Sequence, residues 1–202
     1  MKDWTGNSKS VHSVLGASNH SLKDRETNDY YATEPKAAEL LLEVEDFAPN
    51  IWECACGECH LSKVFKAHGY NVKSTDLIYR DGGMSETFDF LAESKPNSWN
   101  GSIVTNPPYK YGYEFVEKAL DTVTEGNKVA MFLKLQFLEG KKRRKLFDTV
   151  PPQTIYVSSS RLLCAKNGEF DKMRTDGGSA VAYAWYVWQK GYKGDTIVKW
   201  IN

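Results

Sequence analysis

Apolar positions are sparse over residues 1–28, a stretch of Ser, Asn and charge that predicts an arm or lid ahead of one folded unit spanning 29–202. The pattern changes at Thr33. Thr33 is placed to cap a helix with Pro35 in its first turn, and Ala37, Ala38, Leu40, Leu41 and Leu42 supply an apolar face. Short apolar runs then alternate with amphipathic ones. Strands are expected at Ile51–Ala55, Val72–Thr75 (ending on Asp76), Thr87–Leu91, Ile103–Thr105, Val129–Leu133, Ile155–Ser158 and Ala180–Trp188, with a further strand open to the tail Ile197–Ile201. Helices are expected at Leu61–His68 (closed by Gly69), Tyr113–Thr122 and Lys141–Asp148. This alternation predicts a doubly wound α/β domain whose sheet is mostly parallel and covered on both faces. Ligands of such sheets sit beyond the carboxyl ends of the strands. Chemistry is therefore expected just after Ala55, Asp76, Leu91 and Thr105.

The first of these places reads Glu53-Cys54-Ala55-Cys56-Gly57-Glu58-Cys59. Gly57 lets the backbone approach a ligand at the next helix, but a dinucleotide fingerprint needs three spaced glycines. Asp76, ending the second strand, is placed to accept hydrogen bonds from ribose hydroxyls. A nucleoside without phosphates satisfies both features, and S-adenosylmethionine is the common one. Asp89-Phe90-Leu91 offers a carboxylate for an adenine amino group and an apolar side chain for its ring. Asp29-Tyr30-Tyr31-Ala32-Thr33 offers aromatic faces to a sulfonium.

The fourth place is Thr105-Asn106-Pro107-Pro108-Tyr109. Two prolines fix the backbone and remove two donors, which frees carbonyls to face a ligand. Asn106 adds a side-chain carbonyl, so the segment suits a substrate –NH2 such as N6 of adenine. Tyr109 adds a face for a base rotated out of a duplex.

Charge and cysteines narrow the picture. With 26 basic and 26 acidic side chains, bulk electrostatics cannot hold nucleic acid, so a local patch is needed. The run Lys141-Lys142-Arg143-Arg144-Lys145 is the obvious one, equally readable as a solvated helix face. No run is apolar enough for a membrane span, and no signal core opens the chain, so a cytoplasmic location is expected. Cys54, Cys56, Cys59 and His60 are ligand types at a spacing foreign to the familiar zinc sites, so no metal is expected.

These residues resemble the class I methyltransferases that modify exocyclic or amide nitrogens. More narrowly they resemble the small DNA N6-adenine methyltransferases often carried by phages. The likeness runs through Asp29–Pro35, Glu53–Leu61, Ser74–Leu77, Asp89–Leu91, Asn106–Tyr109 and Ala182–Trp188. It implies a Rossmann-like, mostly parallel seven-stranded sheet with an antiparallel last strand, and S-adenosyl-L-methionine as cofactor. It implies cofactor contacts at Tyr30, Tyr31, Thr33, Glu53, Ala55, Cys56, Gly57, Asp76, Leu77, Asp89 and Phe90. Catalysis falls to Asn106, Pro107, Pro108 and Tyr109 on a flipped adenine of DNA, and Lys110, Arg143 and Arg144 are expected to meet the nucleic acid. The chain departs from the family at Cys59, where a second glycine is usual, and at Cys54, often proline. The same tetrapeptide resembles that of protein glutamine methyltransferases, which generally carry a separate helical N-terminal domain. The residues leave RNA adenine methylation open as well, and so too a non-catalytic decoy that binds cofactor or nucleic acid without turnover.

Overall fold

The computed structural model describes residues 31–92, 98–166, 168–175 and 181–202. The arm expected over 1–28, and Tyr30, lie outside these residues. Helix α1 (Pro35–Leu42) opens with Pro35 where its missing N–H costs no bond, and it buries Ala37, Ala38, Leu40 and Leu41. Thr33 is not its cap. The residue before the helix is Glu34, with no side-chain capping bond. Thr33 ends a three-residue strand, β1 (Tyr31–Thr33), paired antiparallel with β8 (Cys164–Lys166). Its hydroxyl is turned to Asn106 rather than to the helix amides.

The remaining strands form one sheet. They are β2 (Asn50–Glu53), β3 (Asn71–Asp76), β4 (Glu86–Thr87), β5 (Ser102–Thr105), β6 (Lys128–Lys134), β7 (Thr154–Ser158), β9 (Tyr183–Gln189) and β10 (Ile197–Ile201), in the order β10-β7-β9-β6-β5-β2-β3-β4. β9 runs antiparallel to both β6 and β7, and the other pairs are parallel. The expected architecture holds, with two corrections. The sheet has eight strands among the described residues, because the tail pairs along β7 at the edge. The antiparallel strand is therefore not the last in the chain.

Alternate residues of β9 face opposite ways, which is why this strand reads as apolar throughout. Trp185 and Val187 join the core under α1 and α2 (His60–Ala67), while Tyr186 and Trp188 join the core under α3 (Gly112–Thr122) and α4 (Lys141–Thr149). The Trp185 indole, fully buried, donates to the Ala37 carbonyl at 2.8 Å, so its polar edge is satisfied inside the core. α2 stops at Gly69, whose φ of +88° only glycine takes freely, and Tyr70 N–H returns to the Phe65 carbonyl at 3.1 Å.

Two strand ends at the carboxyl edge differ from expectation. β2 stops at Glu53 instead of Ala55, because Cys54 and Ala55 enter a turn. The third strand is the two-residue β4 and does not reach Leu91, since the Asp89 carboxylate takes the Leu91 amide at 3.0 Å and turns the chain. Between β7 and β9 the chain forms β8 and α5 (Phe170–Thr175), while 167 and 176–180 lie outside the described residues. Among the described residues no helix is long and apolar enough to cross a membrane.

Candidate functional site

The carboxyl ends of β2, β3, β5 and β6 open into one cleft of about 880 Å³. Tyr31, Thr33, Glu53, Ala55, Cys56, Asp76, Leu77, Asp89, Phe90, Asn106, Pro107, Pro108, Tyr109 and Lys110 all line it. Parallel strands deliver their C-terminal residues to one edge, so segments far apart in sequence meet there.

At one end stands Glu53, 2% exposed, whose Oε2 accepts the Ser62 amide at 2.8 Å and the Ser62 hydroxyl. Burial pushes its carboxyl well above the usual carboxylate range, against the pull of the Ser62 bonds. Asp76 accepts the Gly57 amide at 2.8 Å on Oδ2, and the Ile78 amide at 3.1 Å and Arg80 Nη1 at 3.3 Å on Oδ1. Gly57 itself does not line the cleft. It takes a φ of +52° and gives its amide to Asp76, so its part is to shape the turn. Phe90 is buried edge-on against Trp52, centroids 5.4 Å apart, which fixes the ring that borders the cleft.

The departure at Cys59 has a visible geometry. Cys59 sits at φ 63°, ψ 32°, the left-handed region that a glycine would enter freely and a side chain enters at a cost of about 1–2 kcal/mol. Its thiol is buried beside Cys56, and the Cys56 hydrogen bond lowers it to about 7 while Cys56 is pushed up in turn. All four cysteines are free and buried, and among the described residues no group of three His, Cys, Asp or Glu is placed to hold a metal ion. Protein purified without chelator should contain no stoichiometric zinc by elemental analysis. One zinc per chain, lost on Cys56→Ser, would contradict this geometry.

At the other end the Asn106 amide is locked. Its Nδ2 donates to Thr33 Oγ1 at 2.7 Å and to the Tyr31 carbonyl at 3.4 Å, with Cys164 Sγ at 3.9 Å. That network assigns the orientation of the amide and leaves Oδ1, buried, with no partner among the described residues. Of the two proline carbonyls, Pro108 accepts the Tyr111 amide at 2.8 Å and Pro107 has no partner among the described residues. One proline carbonyl is thus open, not two. The Tyr109 hydroxyl donates to Cys164 Sγ at 3.1 Å, and burial pushes it well above its ordinary pKa. Lys134 Nζ lies 4.5 Å from the Tyr109 ring centroid.

Sequence reasoning missed Ser62, Arg80, Lys134 and Cys164. Lys134 ends a parallel strand, so the carboxyl-end rule could have flagged it. Nothing in the sequence marked Cys164, which comes from β8. The basic helix lies outside the cleft. Arg144 Nε reaches both oxygens of Asp148 at 2.8 and 2.9 Å, and Lys142 pairs with Glu114 at 2.8 Å. Arg143 donates to the Gln136 carbonyl at 3.1 Å and lies 5.3 Å from the Phe137 ring.

No family model and no curated protein matches the chain. Its fold is that of the class I methyltransferases. A protein described as a predicted O-methyltransferase from Agrobacterium tumefaciens superposes with TM-score 0.58 at 13% identity, over 81% of this chain and 85% of that one. A protein of Listeria monocytogenes, provisionally described as a class I S-adenosylmethionine-dependent methyltransferase, gives 0.59 at 13% identity over 93% and 69%. A third, from Pyrococcus horikoshii and provisionally described as an RNA methyltransferase, gives 0.57 at 13% identity over 90% and 98%.

Proposed function

We propose that this chain is an enzyme that transfers a methyl group from S-adenosyl-L-methionine to N6 of adenine in DNA. The observation that carries this reading is the locked Asn106 amide, whose buried Oδ1, like the carbonyl of the next residue Pro107, has no partner among the described residues, with both residues lining the cleft. Two acceptors on adjacent residues suit an –NH2 group, which has two donors to give. Taking both N–H bonds draws the nitrogen lone pair out of the ring and aims it. No strong base is needed, because the cofactor would supply a methyl group on an electrophilic sulfonium. The nitrogen–methyl bond would form as the sulfur–methyl bond breaks to leave a neutral thioether, and the methylated, now acidic nitrogen would then lose one proton to water. The Tyr109 ring, its hydroxyl tied to Cys164, is the surface for the base.

The cofactor end fits a nucleoside. A carboxylate at the tip of β3 suits ribose hydroxyls and repels phosphates, and one glycine in the β2 turn leaves no pyrophosphate cradle. Tyr31, Ala55, Cys56, Leu77, Asp89 and Phe90 complete this half of the wall. In this reading Glu53, at the end of β2, takes the α-ammonium of the methionine part.

That assignment has a pH signature. The Glu53 carboxyl is raised in the folded state above its unfolded value of about 4.3. The proton it holds stabilises the fold fully below that value, and the contribution is lost as pH rises toward the raised folded value. Binding an ammonium at Glu53 releases this proton. Cofactor affinity should therefore rise with pH above the ordinary carboxylate range, by up to about tenfold per unit, until the raised folded value is passed. Calorimetry in buffers of different ionisation enthalpy reads the release directly. A flat affinity with no proton release removes Glu53 from the ammonium site.

The decisive test presents labelled S-adenosylmethionine with DNA, RNA and protein in parallel. N6-methyladenine in DNA is the expected product. Label confined to RNA, or to glutamine side chains, overturns the substrate, and no label in any of them overturns the activity.

A further inference from the structure

Besides Arg80, which is held by Asp76, Lys110, Lys134 and Arg161 stand at the carboxyl edge of the sheet among the described residues, outside the basic helix. Lys110 follows β5, Lys134 ends β6, and Arg161 follows β7. The strand order β5-β6-β9-β7 puts them in one row, with strand spacing of about 4.8 Å. Lys110 and Lys134 line the catalytic cleft, and Arg161 lines a shallow groove beside it with Leu135, Gln136 and Glu139.

Lys134 is the unusual member. It is half-buried, and no carboxylate pairs with it among the described residues, although the other half-buried strand lysines, Lys73 and Lys128, are each paired with a glutamate. Its register partner on β9 is Tyr183, so both side chains rise from the same face of the sheet against Tyr109. An ammonium left without a counter-ion at the mouth of a cleft favours an anion there. On α4, by contrast, Arg144 and Lys142 already hold carboxylates.

We propose that Lys134 and Arg161 bind successive phosphates of the target strand, Lys134 the one beside the flipped nucleotide and Arg161 the next along the groove. This rests on the DNA reading of the same cleft and extends it. The row gives a chain of zero net charge a local path for a polyanion, and it sets the strand so that the target base comes down on Tyr109. The strand crosses the end of the sheet rather than lying along α4.

The test uses Lys134→Gln, Arg161→Gln, the double variant and Lys134→Arg, with a duplex oligonucleotide between 50 and 200 mM salt. Each Gln variant should raise KM roughly tenfold, as loss of a charge-assisted bond does. It should also flatten the slope of log affinity against log salt by about 0.9. kcat and S-adenosylmethionine affinity should stay near wild type, and Lys134→Arg should keep the wild-type slope. An unchanged salt slope in the Gln variants overturns the proposal. So does a collapse of kcat with KM and slope intact, which would make Lys134 a prop for Tyr109. A slope lost in Arg143→Ala/Arg144→Ala but kept in the Gln variants would move the phosphates to α4. Wild-type protein that binds the oligonucleotide with this row yet methylates none of it would sink the activity and leave the row standing. Wild-type protein that binds no oligonucleotide sinks both.

Discussion

Asn106→Ala should retain near-normal affinity for S-adenosylmethionine and lose methyl transfer by about 10²–10³-fold, the effect of deleting one positioned polar group elsewhere. The cofactor end of the cleft is built on β2 and β3, and none of its hydrogen bonds passes through Asn106. In the proposed reaction the side-chain oxygen would act on the nitrogen as its lone pair is reshaped, so its worth would be greater in the transition state than in the ground state. The expected signature is a fall in the single-turnover rate with little change in Kd. Thr33→Val is the companion. It keeps Oδ1 but removes the 2.7 Å bond that orients the amide, and it should cost less, roughly fivefold, as one neutral hydrogen bond does. Near-wild-type methylation by Asn106→Ala would end the proposed mechanism. Equal losses from both variants would mean that the amide serves the fold and not the substrate.

The second large effect belongs to Asp76. Its two oxygens hold the Gly57 and Ile78 amides and the Arg80 guanidinium, so Asp76→Ala releases the turn as well as the proposed ribose contact. Loss of such charge-assisted bonds should weaken S-adenosylmethionine binding by about 1.5–3 kcal/mol, roughly 10- to 150-fold. Thermal melting separates the two roles. A small fall in Tm with a large fall in affinity fits a ligand contact, whereas unchanged affinity would take the nucleoside away from this strand end. Methyl transfer at saturating cofactor should recover toward wild type in Asp76→Ala, and it should not in Asn106→Ala.

The sheet was legible because each strand carries its own short apolar run and each helix buries one stripe, as with Leu61, Val64 and Phe65 on α2. The cleft residues were legible for a second reason: the strand-end rule says where to look, and Asn106, Asp76 and Glu53 sit there. What stayed hidden is contact between distant segments. β1 and β8 are three residues long, and neither has a pattern that stands out from a loop. Yet their pairing brings Thr33 and Cys164 against Asn106, and so it decides which way the Asn106 amide points. Thr33 as a helix cap was a sound local reading that a tertiary hydrogen bond overrode. The basic run on α4 illustrates the converse. Its composition is conspicuous, but charge alone does not tell which members already have carboxylate partners.

The placement of β9 bears on how a ribosome can make this protein. β9 is the neighbour of both β6 and β7, although it is synthesised after them. Until Gln189 has emerged, the nascent chain holds β6 with a bare apolar edge from Val129 to Leu133, and β7 has no partner on that side. The sheet therefore closes from its middle and late, by a long-range pairing of the slow kind. A message truncated before Tyr183 would yield a half-sheet whose open edge invites pairing with other copies, so quality control should see incomplete chains as aggregates and not as small folded domains.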